Sequence, residues 1–451
     1  MTKHLICHKF NRIMRKSLVV GILKEEKNKW ERRAPLTPSD IRWLVQKGIE
    51  VEVESSPIRV FKDKAYEKNG AKIVKEPKKA SFLVGIKEPR KEKIREKAVY
   101  MFFSHTTKGQ SYNMLLLREL LEKEATLVEC EKITDRNGKR LVYFGRFAGI
   151  CGVTDSLYYC GRKLKERGIN NPFSSLNPSW TYKSLEELKG NMEQTAKNIE
   201  KRGFDKRISP FIIGITGHGN VSNGAHEVLN LLNPIEIHPK DMKSFIRHQK
   251  YANDRIYKIV FLREEKFRKK DRRGYYFEEY LAHPERFESN LDKYLSFLNI
   301  LLNGSYWDDK YPRLVTKKMI RKLCGRQKCR LEFIGDISCD IKGSVEINRG
   351  ATTPDDPTYT YNPKEDNYTE GYKGKGVTVL AVDNLPAELP KDSSREFSGL
   401  IRDYVYQIAA HGVRDLTKHA AIPLEIRKAV ITQNGHLCKK YQYLHKYLKE
   451  N

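Results

Sequence analysis

Short apolar runs alternate along most of the chain with polar stretches of helical period. Leu18 to Leu23 forms a compact apolar run that predicts a first strand. Pro38 to Gly48 follows, with Ile41, Leu44 and Val45 on one helical face and Gly48 closing it. Val51 to Val53, Phe82 to Ile86, Val99 to Phe103 and Thr126 to Val128 are further short strands, with a helical stretch from Asn113 to Glu122 between the last two. This alternation predicts an α/β fold. A second series begins after the Pro and Ser cluster of Pro172 to Pro178. It comprises a polar helix over Ser184 to Arg202, a strand over Phe211 to Ile215 and a glycine turn.

Composition narrows the class. The chain has 451 residues, enough for two or three domains. Hydrophobic residues make up 39% and aromatic residues 10%, and with apolar runs recurring throughout, general disorder is excluded. Lys and Arg number 85 against 57 Asp and Glu, a formal charge of +28 that suits polyanions without saying which. The longest apolar stretches, Leu18 to Leu23 and Tyr294 to Leu302, fall short of the about 20 residues of a membrane span, so a soluble protein is expected. The 8 Cys form no CxxC pair and lie by no His cluster. That spacing favours reduced thiols in an intracellular compartment and no metal site. Met1 to Lys24 lacks acids and carries Lys3, Lys9, Arg12, Arg15 and Lys16, which is compatible with a transit segment and leaves the cytoplasm and the mitochondrial matrix both open.

Three constellations carry chemistry. FIIGITGHGNVSNGA, Phe211 to Ala225, sets an apolar strand before Gly217 and Gly219 and a helical pattern after them. A strand, a tight turn and a helix N-terminus suit a pyrophosphate, although Ser222 stands where a third glycine belongs. The next strand is expected at Ile235 to His238, with Glu236 inside it and His238, Lys240 and Lys243 at its end, which favours a ribose 2′-phosphate over a bare diol. Lys87 and His105 each follow an apolar strand directly, where open α/β sheets collect ligands, and Arg32 and Arg33 precede a helix as a carboxylate clamp would. The run Arg268 to Arg273 reads as a solvated surface in preference to a nucleic-acid patch, because Tyr275, Tyr276 and Phe277 follow the cations instead of interleaving with them.

Ten motifs occur in order: WERRAPLTP (Trp30), GIKEP (Gly85), FFSHTTK (Phe102), YFGRFAGICG (Tyr143), TGHGNVSNGA (Thr216), HPERF (His283), NGSYW (Asn303), PRLVT (Pro312), GDISCDIKGSVE (Gly335) and VDNLPAELP (Val382). Together they resemble the lysine-ketoglutarate reductase half of the α-aminoadipic semialdehyde synthases, within the wider group of saccharopine and alanine dehydrogenases. The resemblance runs from about Leu18 to Tyr443. It implies two Rossmann-like lobes with parallel sheets and an active-site cleft between them. Residues 18–145 with 389–451 would form the substrate domain, and 146–388 the dinucleotide domain with a charged insertion at about 250–311, after a basic segment 1–17. The implied reaction condenses L-lysine with 2-oxoglutarate and reduces the imine with NADPH, NAD being the weaker fit, to give saccharopine. Ending at Asn451, the chain is expected to catalyse at most this condensing reduction.

By motif position, Lys87 and His105 resemble the family's acid/base pair. Arg33, Lys108 and Arg140 resemble its carboxylate-binding cations, Phe144 and Tyr306 its pocket residues, with Trp307 beside them. Gly217, Gly219, Asn220, Val221, Ser222, Asp336, Ser338 and Asp340 resemble its dinucleotide side. The competing expectations are an NAD-dependent, lysine-forming saccharopine dehydrogenase and a non-catalytic nucleic-acid-binding protein on the same fold. The expected partners are the two small-molecule substrates, without a membrane and without nucleic acid, and a homo-oligomer is compatible with the sequence.

Overall fold

The computed structural model describes residues 18–325, 329–412 and 415–449. The basic segment 1–17 lies outside the described residues. The chain divides into two compact units, one built from residues 1–143 and 394–451 and the other from 144–393.

The first unit contributes β1 (Val20–Ile22), β2 (Val51–Glu54), β3 (Lys72–Val74), β4 (Phe82–Lys87), β5 (Val99–Phe103) and β6 (Thr126–Glu129). The second follows with β7 (Phe211–Thr216), β8 (Ile235–Glu236), β9 (Ile256–Phe261), a hairpin of β10 (Phe267–Lys269) and β11 (Phe287–Ser289), then β12 (Ile300–Asn303), β13 (Phe333–Asp336), β14 (Thr358–Asn362), β15 (Asn367–Glu370) and β16 (Val377–Leu380). The chain returns to the first unit with β17 (Val430–Gln433) and β18 (His436–Leu437).

The first sheet runs β18-β17-β6-β5-β4-β1-β2-β3, parallel throughout from β6 to β3. Its helices start where the sequence signals a start. Pro38–Gln46 has Pro at its first turn, and Thr37 accepts a hydrogen bond from the Asp40 amide at 3.2 Å. The helix Ser111–Glu122 buries Met114, Leu117 and Leu120 against Leu83, Tyr100 and Phe102. The C-terminal segment closes this side of the unit: Ile431 of β17 joins the same cluster, and the Tyr443 hydroxyl donates to the Thr107 carbonyl at 2.8 Å.

The second sheet runs β15-β14-β16-β13-β12-β7-β9-β8, parallel from β16 to β8. Successive β7 residues face opposite sides. Phe211, Ile213 and Ile215 pack with the buried helix Gly145–Glu166, and Ile212 joins the cluster across the sheet. The helix Leu185–Arg202 is capped by Ser184, which accepts from the Glu187 amide at 3.2 Å. No helix among the described residues is long and apolar enough to cross a membrane.

One expectation changes here, and the solvated reading of the basic run stands. The strand placed at Ile235 to His238 shrinks to two exposed residues, and it is the outermost strand; β9 stands between it and β7. Glu236 does not wait for a ribose there, because its carboxylate takes the Lys258 amine at 3.0 Å. The basic run of Arg268 to Arg273 is neutralised at home. Arg268 pairs with Glu288 and Asp292, both at 2.8 Å, Lys269 with Glu279 at 2.9 Å, Arg272 with Glu288 at 3.6 Å and Arg273 with Asp271 at 3.8 Å.

Candidate active site

In the first unit the carboxyl ends of β1, β4, β5 and β6, four neighbours in the sheet, gather five of the expected site residues. Arg33 follows β1, Lys87 ends β4, His105 and Lys108 follow β5, and Arg140 follows β6. Parallel pairing sets Lys87 opposite Phe103, two residues before His105.

Acids that the sequence reading passed over hold this edge. The buried Glu25 carboxylate accepts the Ile86 amide at 2.7 Å and the Lys87 amide at 3.0 Å, fixing the end of β4. Burial and the nearby Glu31 push its carboxyl well above the usual range. Arg33 is 2% exposed and forms a two-pronged ion pair with Glu31, Nε to Oε1 at 2.7 Å and Nη2 to Oε2 at 2.6 Å. Burial, with Arg33 and Lys27 as like charges, depresses the Lys87 amine below the usual lysine range, against the pull of Glu31 and Glu88.

Beyond β5 the backbone is unusual. His105 has φ +55, a left-handed conformation that a non-glycine residue rarely adopts. Glu129, fully buried at the end of β6, holds it there by accepting the Ser104 amide at 2.9 Å, the His105 amide at 3.1 Å and the Ser104 hydroxyl. The imidazole stacks at 23° on Phe103, and its Nδ1 stands 3.7 Å from the Glu131 carboxylate. Burial works to raise the Glu131 carboxyl, but His105, Arg140 and Lys108 outweigh it and hold it at about 2. Glu131 therefore stays anionic beside the His105 ring. Lys108 is exposed, whereas Arg140 is paired with Glu131, just as Arg33 is with Glu31. Two of the three expected carboxylate clamps thus already carry a protein carboxylate.

The sequence signal for these acids was present: glutamates stand directly after the apolar runs of β1 and β6, in KEEK and VECEK. Apolar periodicity carries no information about which polar residue a strand end turns inward.

The second unit has its own edge. Gly217 has φ +103, and a Cβ there would lie 2.6 Å from the Gly304 carbonyl, so only glycine fits this turn between β7 and β12. A Cβ on Gly219 would meet nothing within 4 Å, which leaves the start of the helix Asn220–Leu229 open to a ligand. Ser222 is buried within that helix. The close-packing role of a third glycine passes to Gly224, whose missing side chain admits the Arg146 carbonyl of the Gly145–Glu166 helix, while Gly149 of that helix admits the Val221 carbonyl in return. Asn303, ending β12, accepts from the Thr216 hydroxyl at 2.8 Å and donates to Asp336 at 2.8 Å, Ser338 at 3.0 Å and Ser344 at 2.8 Å. Asp336 is 1% exposed, with its other oxygen on Asn348 at 2.7 Å, so it braces the strand ends from inside and does not face a ligand. Ser338 and Asp340 follow on the half-exposed loop. Phe144 and Tyr306 belong to this unit: Phe144 is the half-buried residue before the Gly145–Glu166 helix, and Tyr306 is 76% exposed with its hydroxyl 3.3 Å from Asp308. Trp307 donates to the Tyr311 carbonyl at 3.1 Å.

Comparison with known proteins then places the chain. Residues 21–151 match the alanine dehydrogenase/PNT N-terminal domain, and residues 288–440 match the C-terminal domain of the same family. The chain belongs to the alanine dehydrogenase/PNT family. The α-aminoadipic semialdehyde synthase of Arabidopsis thaliana is 33% identical over 96% of this chain and 42% of its own length. That of Bos taurus, described as mitochondrial, is 32% identical over 96% of this chain and 48% of its own. The chain thus spans under half the length of these relatives. A saccharopine dehydrogenase [NAD(+), L-lysine-forming] of Neurospora crassa is 26% identical over 83% of this chain and 87% of its own length. Among solved structures, an L-alanine dehydrogenase superposes with a TM-score of 0.59 at 18% identity, covering 96% of this chain and all of that one. A transhydrogenase from Sinorhizobium meliloti gives 0.51 at 14% over 93% of this chain and 100% of its own. This alanine dehydrogenase/PNT fold is the two-sheet α/β architecture that the sequence pattern predicts.

Proposed function

We propose that the chain is an oxidoreductase of lysine metabolism that joins the ε-amine of L-lysine to the keto carbon of 2-oxoglutarate and reduces the product to saccharopine with NADPH. The observation that carries this reading is the pairing of Lys87 and His105 at the ends of adjacent strands, with the Lys87 amine held below the usual lysine range and the anionic Glu131 beside His105. Likeness to the α-aminoadipic semialdehyde synthases supports the choice of substrates.

The chemistry asks for one group that takes a proton and one that gives it. The ε-ammonium must lose a proton before nitrogen can attack the keto carbon, and the carbinolamine hydroxyl must gain one to leave as water. Lys87, its amine depressed by burial and two cations, is the acceptor. His105, beside an anionic Glu131, is the donor. Lys108, exposed one turn from His105, meets an incoming carboxylate, and Arg33 and Arg140 offer charge that their glutamates share. The open Gly217–Gly219 turn before the helix Asn220–Leu229 fits a dinucleotide pyrophosphate. The reduced nicotinamide supplies the hydride.

The test is NADPH consumption by the purified chain given L-lysine and 2-oxoglutarate, with ornithine and pyruvate as controls and the product identified by mass. Lysine-dependent oxidation yielding saccharopine is expected. Equal rates with the controls, or none with the named pair, would contradict the proposal. Likeness to the Neurospora crassa relative motivates a second reading, the NAD-linked enzyme, which tighter binding of NADH than of NADPH would favour.

A further inference from the structure

The order of the second sheet moves the ribose-reading position. In a sheet of this kind the dinucleotide crosses the carboxyl end of the strand that bears the glycine turn, and its adenosine ribose meets the end of the next strand outward. That neighbour of β7 is β9, not the exposed two-residue β8. At the end of β9, Phe261 and Leu262 occupy the place where a carboxylate would hold a 2′-hydroxyl, and Arg263 follows.

Two observations single out this corner. Arg263 is exposed and has no ion-pair partner among the described residues, in contrast with Arg268, Arg272 and Arg273 just beyond. Its guanidinium lies over the Phe277 ring at 4.4 Å. Behind it Lys266 is 5% exposed, and its amine reaches the hydroxyl of Ser305 at 3.0 Å, in the loop after β12 whose Gly304 closes on Gly217. Burial and then the Arg263 charge lower the Lys266 amine to about 8, and burial, Lys266 and Arg263 lower His218 of the glycine turn. Three cationic or titratable bases thus crowd one corner beside the turn, with Glu264 as the acid that acts on both Lys266 and His218.

Taking the dinucleotide reading above as given, we propose that Arg263, backed by Lys266, receives the 2′-phosphate of the cofactor and sets the preference for NADP over NAD. A guanidinium offers paired donors to phosphate oxygens, and a dianion would relieve the mutual repulsion of Arg263, Lys266 and His218. Without that phosphate, Glu264 is the group left to meet a ribose diol.

The experiment titrates the full chain with adenosine 2′,5′-bisphosphate against 5′-AMP, and with NADPH against NADH, in the wild type and in Arg263→Ala, Lys266→Met and Lys240→Ala. Thermal melting serves as the folding control. The wild type should prefer each 2′-phosphorylated ligand by at least about tenfold, the range of charge-assisted hydrogen bonds. Arg263→Ala should erase the preference while leaving 5′-AMP and NADH affinity unchanged, Lys266→Met should reduce it, and Lys240→Ala should preserve it. Preference surviving in Arg263→Ala, or lost in Lys240→Ala, overturns the inference and leaves the NADP reading standing. A wild type without preference overturns both, whereas lysine-dependent turnover is scored separately and tests the reaction alone.

Discussion

The two sheets carry their candidate site residues at the same place, the carboxyl ends of parallel strands, yet furnish those ends with different chemistry. The β1, β4, β5 and β6 edge is made of ionisable side chains held by buried glutamates: Glu25 under Lys87, Glu31 on Arg33, Glu129 and Glu131 around His105. The β7, β12 and β13 ends are built on glycines and amides, with Gly217 against Gly304 and Asn303 tying Thr216 to Asp336, and the cations Arg263 and Lys266 stand beside them after β9. Proton transfer needs groups whose charge can change, so the first edge maintains ionisable groups in a desolvated setting. Under the proposed function, holding a nucleotide needs backbone close to phosphate, which the glycines of the second edge permit while hydrogen bonds lock its loops.

This contrast can be broken at either end. The largest effect is expected at the first edge, where Lys87→Met and His105→Ala should each cut turnover by about 10²- to 10⁴-fold while NADPH binding by fluorescence titration stays within about twofold. A wild-type rate in either variant would remove the acid/base assignment. At the second edge, Gly224→Ala places a methyl group on the Arg146 carbonyl and should cost about 1–3 kcal/mol in urea denaturation, with weakened nucleotide binding. An unchanged midpoint would show that the two helices part easily.

A smaller effect concerns pH. Glu25 binds its proton more tightly folded than unfolded, because burial and Glu31 raise its carboxyl. The stability it contributes is full below the unfolded carboxyl value and is lost as pH rises through the raised folded value. Glu25→Gln, which cannot ionise, should therefore lose less stability than the wild type between about pH 5 and 8 in paired melting curves. Parallel curves would mean that Glu25 ionises normally. The smallest effect is expected from Lys27→Met, which removes one of the like charges depressing Lys87 and should move the acidic limb of the pH–rate profile upward by a fraction of a unit. A limb that stays in place would detach Lys27 from the site.

The fold was legible because its cues are local. Apolar runs, the Thr37 cap and the glycine turn each lie within a few residues, and β4, β5 and β7 formed where their runs predicted. The placement of Lys87 and His105 at strand ends followed from the same cues. The strand beside β7 was not legible, because spacing along the chain pointed to Ile235 and only hydrogen bonding between strands could show β9 there. Nor could spacing reveal that Glu31 and Glu131 already engage Arg33 and Arg140, since these contacts depend on which way loop side chains turn.

Saccharopine formation in the two single variants tests proton chemistry at the β4 and β5 ends most directly, with NADPH affinity measured on the same samples. Intact cofactor binding with product formation down by at least about a hundredfold in both is the predicted result. Product formed at the wild-type rate by either variant would contradict it.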